Sequence, residues 1–166
     1  MASLFTLLPV IGSLRLQKLQ EKDIPSLLTL EKELFPVDYW TEYTFREELK
    51  KDPLSIQVIK NKYGVIGYVH TEFWDKKLPD GRTVRIGEIG SIAVHKDYRG
   101  KRIGEKLFKQ GIKTLKKKKS NKIIIHTRLD NAPMKRMAET KFGFKTEKIK
   151  KNAYEDGASA YRMALS

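Results

Sequence analysis

The sequence predicts a single α/β domain of the α+β kind, with about seven strands and about four helices. Three observations support this prediction. The apolar patterns follow the order β-α-α-β-β-β-α-β-α-β-β, turn sequences separate the later strands, and one strand runs through a glycine loop directly into an amphipathic helix. A length of 166 residues suits one domain with a substantial core.

The N-terminal half is predicted to form one strand, two helices and three further strands. Apolar and polar residues alternate from Leu14 to Leu19, which is typical of a strand. Asp23 followed by Pro25 indicates the start of a helix that runs to about Leu34. A second helix is expected from Thr41 to about Lys51. The next strands are expected at Ile56–Lys60, Val65–Phe73 and about Val84–Val94, with turns at residues 61–64 and 79–81.

The C-terminal half is predicted to begin with a long amphipathic helix that ends in the lysine run Lys116–Lys119, where cations suit the negative end of the helix dipole. The apolar face of this helix consists of Ile103, Leu107, Phe108, Ile112 and Leu115. A strand at Lys122–Arg128, a short helix at about Pro133–Lys141 and a hairpin pairing Phe144–Tyr154 with Ser159–Leu165 complete the chain.

Composition limits the chemistry of the chain. The formal charge of +14 predicts an anionic partner. The absence of cysteine excludes disulfides, thiolate catalysis and cysteine–zinc sites, and three histidines are too few for a histidine-rich metal site, so no metal is expected. No window approaches the roughly 20 apolar residues of a membrane span. We therefore expect a cytoplasmic protein without membrane contact.

The first residues are apolar but lack the basic start of a secretory signal, and a proline interrupts them. We therefore predict an N-terminal extension at residues 1–12 and one domain at residues 13–166.

The segment Ser91–Phe108 is the most informative part of the chain. An apolar strand leads into the basic loop Arg99–Gly104, and a helix follows at once. The N-terminus of a helix offers unpaired N–H groups and partial positive charge to a phosphate, and the glycines allow close approach. The P-loop pattern G-x-x-x-x-G-K-S/T and the dinucleotide fingerprint G-x-G-x-x-G are both absent. An ordinary basic turn remains the alternative.

The loop Arg99–Gly104 resembles the acyl-CoA signature Q/R-x-x-G-x-G/A of the GNAT N-acetyltransferase superfamily, with Arg102 in place of the first glycine. The resemblance implies a mixed, mostly antiparallel twisted sheet whose central strands splay apart to bind acetyl-CoA. It also implies that main-chain groups and loop residues bind this cosubstrate. The residues so implied are Ile92, Ala93, Val94, Arg99, Gly100, Lys101, Arg102, Ile103, Gly104, Glu105 and Asn131. Asn131 is alternatively a helix N-cap.

Two residues are candidates for proton transfer. Glu88 is a carboxylate within an apolar run, four residues before Ile92 and so nominally on the same strand face. A surface salt bridge is the alternative. His126 and the asparagine five residues later resemble a stretch of NatE-type N-terminal acetyltransferases, which implies a role in proton transfer. A structural histidine is the alternative. The tyrosine that many members use as proton donor is absent, because Ala138 or Glu139 stands there.

Two further stretches resemble peptide-binding segments of RimI-like and NatE-type enzymes. The loop residues Phe35, Pro36, Val37 and Tyr39 are implied to wall the pocket for the first residue of a peptide. Tyr154 is implied to clamp the peptide backbone, although simple packing is the alternative.

The preferred function is acetyl transfer from acetyl-CoA to the α-amine of protein N-termini, by direct attack in a ternary complex. An α-amine, with a pKa of about 7.8, is easier to neutralise than a lysine, with a pKa of about 10.4. Acetylation of lysine or of a small amine, and a non-catalytic nucleic-acid or ribosome-binding module, are the alternatives. We expect a peptide or protein N-terminus as acceptor, ribosome contact through the basic surface, and a monomer or homodimer.

Overall fold

A seven-stranded sheet organises the computed structural model, which describes residues 14–166. The extension predicted at residues 1–12 lies outside the described residues. The strands run in the order β1-β2-β3-β4-β5-β7-β6, and each neighbouring pair is antiparallel except the parallel pair β4–β5. The strands are β1 (Leu16–Lys18), β2 (Ile56–Asn61), β3 (Gly64–Lys77), β4 (Thr83–Val94), β5 (Lys122–Arg128), β6 (Lys145–Lys150) and β7 (Ala160–Leu165).

Four α-helices pack on this sheet, which confirms the predicted fold class. They are α1 (Ile24–Leu34), α2 (Glu42–Lys51), α3 (Ile103–Lys117) and α4 (Ala132–Phe142). Local sequence explains several helix ends. The Thr41 hydroxyl accepts a hydrogen bond from the N–H of Thr44 at 3.2 Å, and Gly143 ends α4 in the left-handed conformation. Within residues 14–166, every helix is too short or too polar to cross a membrane.

Helices cover both faces of the sheet, as neighbouring residues of β3 show. Tyr68 packs in a buried cluster with Leu27 of α1 and Phe45 of α2. Val69 points the other way and packs in a second cluster with Leu107 of α3. Side chains alternate between faces along a strand, so these clusters define two sides of the sheet. We call them the α1/α2 face and the α3 face.

The central hairpin is longer than predicted. β3 continues to Lys77 instead of ending at Phe73, because its pairing with β4 extends to Lys77 opposite Thr83. A turn closed by a hydrogen bond from the N–H of Leu78 to the carbonyl of Arg82 ends the ladder. The hairpin therefore projects beyond the strands beside it and leaves Trp74 40% exposed.

The last hairpin is shorter than predicted. β6 ends at Lys150 and β7 begins at Ala160, so Tyr154 lies in a loop and not on a strand. Asn152 adopts a left-handed conformation with φ of 49°. The carbonyl of Ala158 then accepts hydrogen bonds from the N–H groups of Ala153 and Tyr154, and these bonds replace the strand ladder.

Substitution of Leu107 tests whether this residue belongs to the buried core on the α3 face. It is fully buried, with 0% exposure. Leu107→Ala removes apolar contacts and leaves a cavity, so we expect the free energy of unfolding to fall by about 2–5 kcal/mol in urea titrations. Tyr63→Ala is the control, because Tyr63 is 81% exposed and its loss should change stability by no more than about 0.5 kcal/mol. Equal effects of the two substitutions would contradict the assignment.

Candidate active site

The site is built where β4 and β5 part. The two strands pair in parallel only from Ile86 opposite Lys122 to Ile89 opposite Ile125. Beyond this point β4 continues against β3 as far as Val94, whereas no further residue of β5 pairs with it. The splayed central strands implied by the family resemblance are therefore present, and the edge of β4 from residue 90 onward faces a gap.

Main-chain groups of β4 point into this gap. The N–H of His95 donates to the carbonyl of Ile66 in β3 at 2.8 Å. Hydrogen-bonded pairs alternate along an antiparallel ladder, so the N–H and carbonyl groups of Ile92 and Val94 must face away from β3. The Val94 carbonyl accordingly accepts a hydrogen bond from Nε of Arg99 at 3.2 Å. The N–H groups of Ile92 and Val94 are thus aimed at the space between the strands.

A β-bulge at Gly90 changes which side chains share a face. Thr71 and His70 are consecutive in β3, but they pair with Ile89 and Ser91, which leaves Gly90 as the extra residue. Ile89 and Ile92 consequently both pack on the α3 face. Glu88 therefore lies on the α1/α2 face. The prediction that Glu88 shares a face with Ile92 was wrong, because a bulge between two residues reverses their relative orientation.

The larger of two adjoining cavities runs along the loop Arg99–Gly104, which we call the phosphate loop. It has a volume of about 620 Å³. All residues predicted to bind the cosubstrate line it except Lys101, whose ammonium lies over the ring of Tyr98 at 5.3 Å. Apolar side chains complete its walls: Leu34, Phe35, Pro133, Met134 and Met137.

The first turn of α3 offers unpaired N–H groups to this cavity. No side chain caps the helix at Arg102, and the N–H of Lys106 makes the first internal bond, to the Arg102 carbonyl at 3.0 Å. The N–H groups of residues 103–105 therefore have no hydrogen-bond acceptor within the helix. A Cβ on Gly104 would meet only Val94, at 3.8 Å, and a Cβ on Gly100 would meet nothing within 4 Å. The loop thus has room for a phosphate beside these N–H groups.

Arg102 stands where the family signature has glycine, and its backbone keeps the conformation that favours glycine. Its φ is 60°, in the left-handed region. A left-handed residue other than glycine therefore introduces α3. Glu105 places a carboxylate in the same first turn, but Lys141 binds it at 2.5 Å and lowers the pKa of Glu105. This ion pair offsets the repulsion that the carboxylate would exert on a phosphate.

A smaller cavity of about 190 Å³ adjoins the first and contains His126. The two cavities share Phe35, Ile92, Asn131 and Met134 as lining residues. His126 Nδ1 lies 2.8 Å from Oε1 of Glu88, so the two residues predicted to transfer protons form a direct pair. An ionised carboxylate only accepts hydrogen bonds, so Nδ1 of His126 donates and Nε2 keeps a lone pair. A base is thus available at the smaller cavity.

Asn131 and Tyr154 each line a cavity, and each also has the structural role that was the alternative to substrate or cosubstrate binding. Asn131 caps α4, since its side chain accepts a hydrogen bond from the N–H of Met134 at 3.2 Å. Tyr154 lies under the guanidinium of Arg128, which is 4.8 Å from the ring and binds Asp156 at 2.6 Å. Burial raises the pKa of Tyr154, so it is a neutral hydrogen-bonding group at physiological pH.

The predicted substrate loop is only partly at the site. Phe35 lines both cavities, whereas Pro36, Val37 and Tyr39 line neither, and Val37 is 77% exposed. The loop is anchored by the buried carboxylate of Glu31, which accepts hydrogen bonds from the N–H of Trp40 at 2.9 Å and from the hydroxyl of Tyr68. Burial raises the pKa of Glu31.

Known proteins share both this sequence pattern and this architecture. The model of the acetyltransferase (GNAT) family matches residues 23–144. The chain belongs to the GNAT acetyltransferase family. This confirms the resemblance drawn from the phosphate loop. The chain is also 33% identical over 148 residues to an N-alpha-acetyltransferase of Saccharolobus solfataricus, with 86% of each chain covered.

Solved structures show the same GNAT fold. A chain of the NatC complex bound to Gag peptide and CoA matches with a TM-score of 0.77 and 21% identity, over 92% of this chain and 97% of that one. A ribosomal-protein-alanine N-acetyltransferase from Brucella melitensis matches with a TM-score of 0.72 and 18% identity, over 91% of this chain and 98% of that one. These matches confirm the predicted fold class.

Sequence reasoning missed several residues that line the two cavities. Met134 and Met137 lie three positions apart at the start of α4 and both line the larger cavity, so their helical spacing was an available signal. Arg128, which ends β5, lines the smaller cavity beside Tyr154. No local pattern marked Arg128, because its role depends on a loop about 25 residues later in the chain.

A substitution at Gly104 can distinguish an effect on phosphate binding from an effect on stability. An aspartate in the first helical turn interacts favourably with the helix dipole, so Gly104→Asp should keep or slightly raise stability. The added carboxylate would oppose a phosphate, and we expect the Kd for CoA to rise at least about tenfold in calorimetric titrations. Gln110→Asp makes the same charge change farther along α3 and is the control. Equal CoA affinities of the two variants would contradict phosphate binding at this helix N-terminus.

Proposed function

We propose that this GNAT protein transfers the acetyl group of acetyl-CoA to the α-amine of protein N-termini. The observation that carries the proposal is the pairing of Glu88 with His126 at 2.8 Å, at the point where β4 and β5 part. The similarity to the N-alpha-acetyltransferase of Saccharolobus solfataricus, at 33% identity, supports the same acceptor class.

The residues around the larger cavity fit acetyl-CoA. When bound, this cosubstrate supplies an acetyl group activated as a thioester. The free N–H groups at the start of α3 and the guanidinium groups of Arg99 and Arg102 would hold its phosphates. The outward-facing N–H groups of Ile92 and Val94 would bind the polar groups of its arm and orient the acyl oxygen.

Glu88 and His126 would receive the proton of the acceptor amine. The proton on Nδ1 of His126 is held by the Glu88 carboxylate, which leaves Nε2 as the base. A positive charge that forms on the imidazole is stabilised by this carboxylate. The acceptor amine reaches the pair through the smaller cavity, which Tyr154 and Arg128 also line.

A single imidazole–carboxylate pair suits an α-amine better than a lysine. Neutralising an α-amine at pH 7 costs about 1 kcal/mol, whereas neutralising a lysine costs about 4.6 kcal/mol. This difference favours N-terminal acceptors over lysine. A cavity of about 190 Å³ is also small, which favours an acceptor end with limited bulk.

The basic surface supports an encounter with growing chains at the ribosome. Exposed lysines along α3 line a shallow groove, namely Lys109, Lys113, Lys116 and Lys117. Together with the formal charge of +14, this surface would attract ribosomal RNA in a salt-dependent manner. A cytoplasmic location and a monomeric or homodimeric state remain predictions.

A peptide panel tests the acceptor class. Thiol release from acetyl-CoA is measured with peptides of varied first residue and with one peptide whose N-terminus is blocked and whose lysine is free. We expect turnover only on free N-termini, because an α-amine is neutralised at pH 7 at much lower cost than a lysine. Turnover on the blocked peptide would instead identify a lysine acetyltransferase.

Glu88→Gln tests the proton acceptor. Glutamine keeps the shape of the side chain but no longer stabilises a charged imidazole, so we expect kcat to fall by about 100-fold or more. The Kd for CoA should not change, because Glu88 does not line the larger cavity. Glu147→Gln, which makes the same change on β6, should retain activity. An unchanged kcat for Glu88→Gln would exclude Glu88 from proton transfer.

A further inference from the structure

A chain of hydrogen bonds links the smaller cavity to the buried carboxylate of Glu31. The hydroxyl of Tyr68 in β3 donates to Oε1 of Glu31 in α1, and it lies 3.3 Å from Oγ of Ser91 in β4. Tyr68 and Glu31 are both buried, whereas Ser91 is partly exposed and lines the smaller cavity. One end of the chain is therefore closed to solvent, and the other end reaches the cavity.

The bulge at Gly90 brings Ser91 to this chain. Ser91 and Glu88 both lie on the α1/α2 face, although residues three apart in a regular strand point to opposite faces. The extra residue in β4 accounts for the difference. Glu88 holds His126, which lines the same cavity. Ser91 and the base proposed above therefore border the smaller cavity from the same side of the sheet.

The carboxylate of Glu31 fixes the direction of each hydrogen bond in the chain. It accepts from the N–H of Trp40 at Oε2 and from the hydroxyl of Tyr68 at Oε1. Burial and the adjoining carboxylate raise the pKa of Tyr68, so the phenol keeps its proton. A phenol has one proton, and Tyr68 gives it to Glu31, the closer of its two partners. The hydroxyl of Ser91 must then donate to the Tyr68 oxygen.

Ser91 consequently offers lone pairs, and not a proton, to the cavity. A serine hydroxyl has one proton and two acceptor positions, and its proton is committed to Tyr68. A group that brings N–H donors into the cavity can bond to this oxygen, whereas a carbonyl cannot. Nε2 of His126 is also an acceptor, because its Nδ1 donates to Glu88. Two acceptors at one small cavity match an amine, which carries two or three N–H groups.

We infer that Ser91 binds the α-amine of the acceptor peptide, and that Glu31 and Tyr68 are positioning residues that keep Ser91 a hydrogen-bond acceptor. The inference rests on the proposed function, since it takes the acceptor to be a peptide with a free N-terminus. Ser91 accepts one N–H of the amine while Nε2 of His126 receives the proton that leaves. Glu31 also anchors the N–H of Trp40, so the amine site and the substrate loop share one buried carboxylate.

Acceptor kinetics of Ser91→Ala test the contact. One hydrogen bond to the amine is lost, so we expect KM for a peptide with a free N-terminus to rise about three- to tenfold, with little change in kcat. The Kd for CoA should not change, because Ser91 does not line the larger cavity. Ser120→Ala is the control, because the Ser120 hydroxyl lies outside both cavities and has no hydrogen-bond partner within residues 14–166. An unchanged KM for Ser91→Ala would overturn the inference.

Glu31→Gln tests the direction of the chain. The N–H of Trp40 can only donate, so the glutamine oxygen must face Trp40 and its NH2 group must face Tyr68. Tyr68 then donates to Ser91, which turns its proton towards the cavity. We expect KM for the peptide to rise at least as far as in Ser91→Ala. Adding Tyr68→Phe removes the reversed donor, so the double variant should recover a KM within about threefold of wild type.

This recovery distinguishes a positioning role from a purely structural one. If Glu31 and Tyr68 served stability alone, loss of both would leave KM no lower than loss of Glu31. A KM of the double variant at or above that of Glu31→Gln would therefore overturn the positioning role. Tyr68→Phe alone leaves Ser91 free to accept and should have the smaller effect. Thermal unfolding sets an assay temperature at which every variant is folded, and Tyr63→Phe controls for the loss of an exposed phenol.

Equilibrium binding separates the inference from the proposed function. Trialanine amide and its N-acetyl form are titrated in the presence of CoA, which has no acetyl group to transfer. We expect wild type to bind the free amine at least about threefold more tightly, and Ser91→Ala to abolish this preference. That result without turnover on any free N-terminus would refute the proposed function but keep the amine site. Turnover with equal binding of the two forms would refute the amine site alone, and absence of both turnover and preference would refute both.

Discussion

Strands β4 and β5 part after Ile89 and Ile125, and the functional features of the chain are arranged around that gap. A parallel neighbour would otherwise use the N–H groups of Ile92 and Val94. Because β5 turns away, these groups stay free while β3 still holds β4 in place on the other side. The bulge at Gly90 lies at the start of the gap, so it sets which side chains of β4 lie on each face of the sheet there.

The strand, the loop Arg99–Gly104 and the helix that follows it could be predicted from sequence because these parts are contiguous. The strand, Gly100, Gly104 and the helix N-terminus follow one another within about fifteen residues, and each contributes through local backbone geometry. The order of strands and helices was equally accessible, since it depends on periodicity and on turn residues. The sheet face on which Glu88 lies could not be predicted, because the alternation of side chains between faces fails where one strand carries an extra residue opposite its partner.

Residues that meet only through tertiary packing were beyond sequence reasoning. Glu48, His70 and Glu72 come from a helix and a strand separated by a further strand, and none belongs to a recognisable motif. Their relation becomes visible only when α2 is placed against β3. Tyr154 shows the same limit, since a left-handed residue at Asn152 moved it from the predicted strand into a loop. Its place beside Arg128 depends on that loop.

The distribution of charge gives the sheet two chemically different sides. Arg99, Arg102 and the free N–H groups of the first turn of α3 place positive charge beside the larger cavity. Glu48, Glu72 and Glu88 lie close together on the α1/α2 face of the sheet. Under the proposed function, the anionic cosubstrate lies along this positive loop and the acceptor amine reaches the Glu88–His126 pair, so the two meet where the β4 backbone is free.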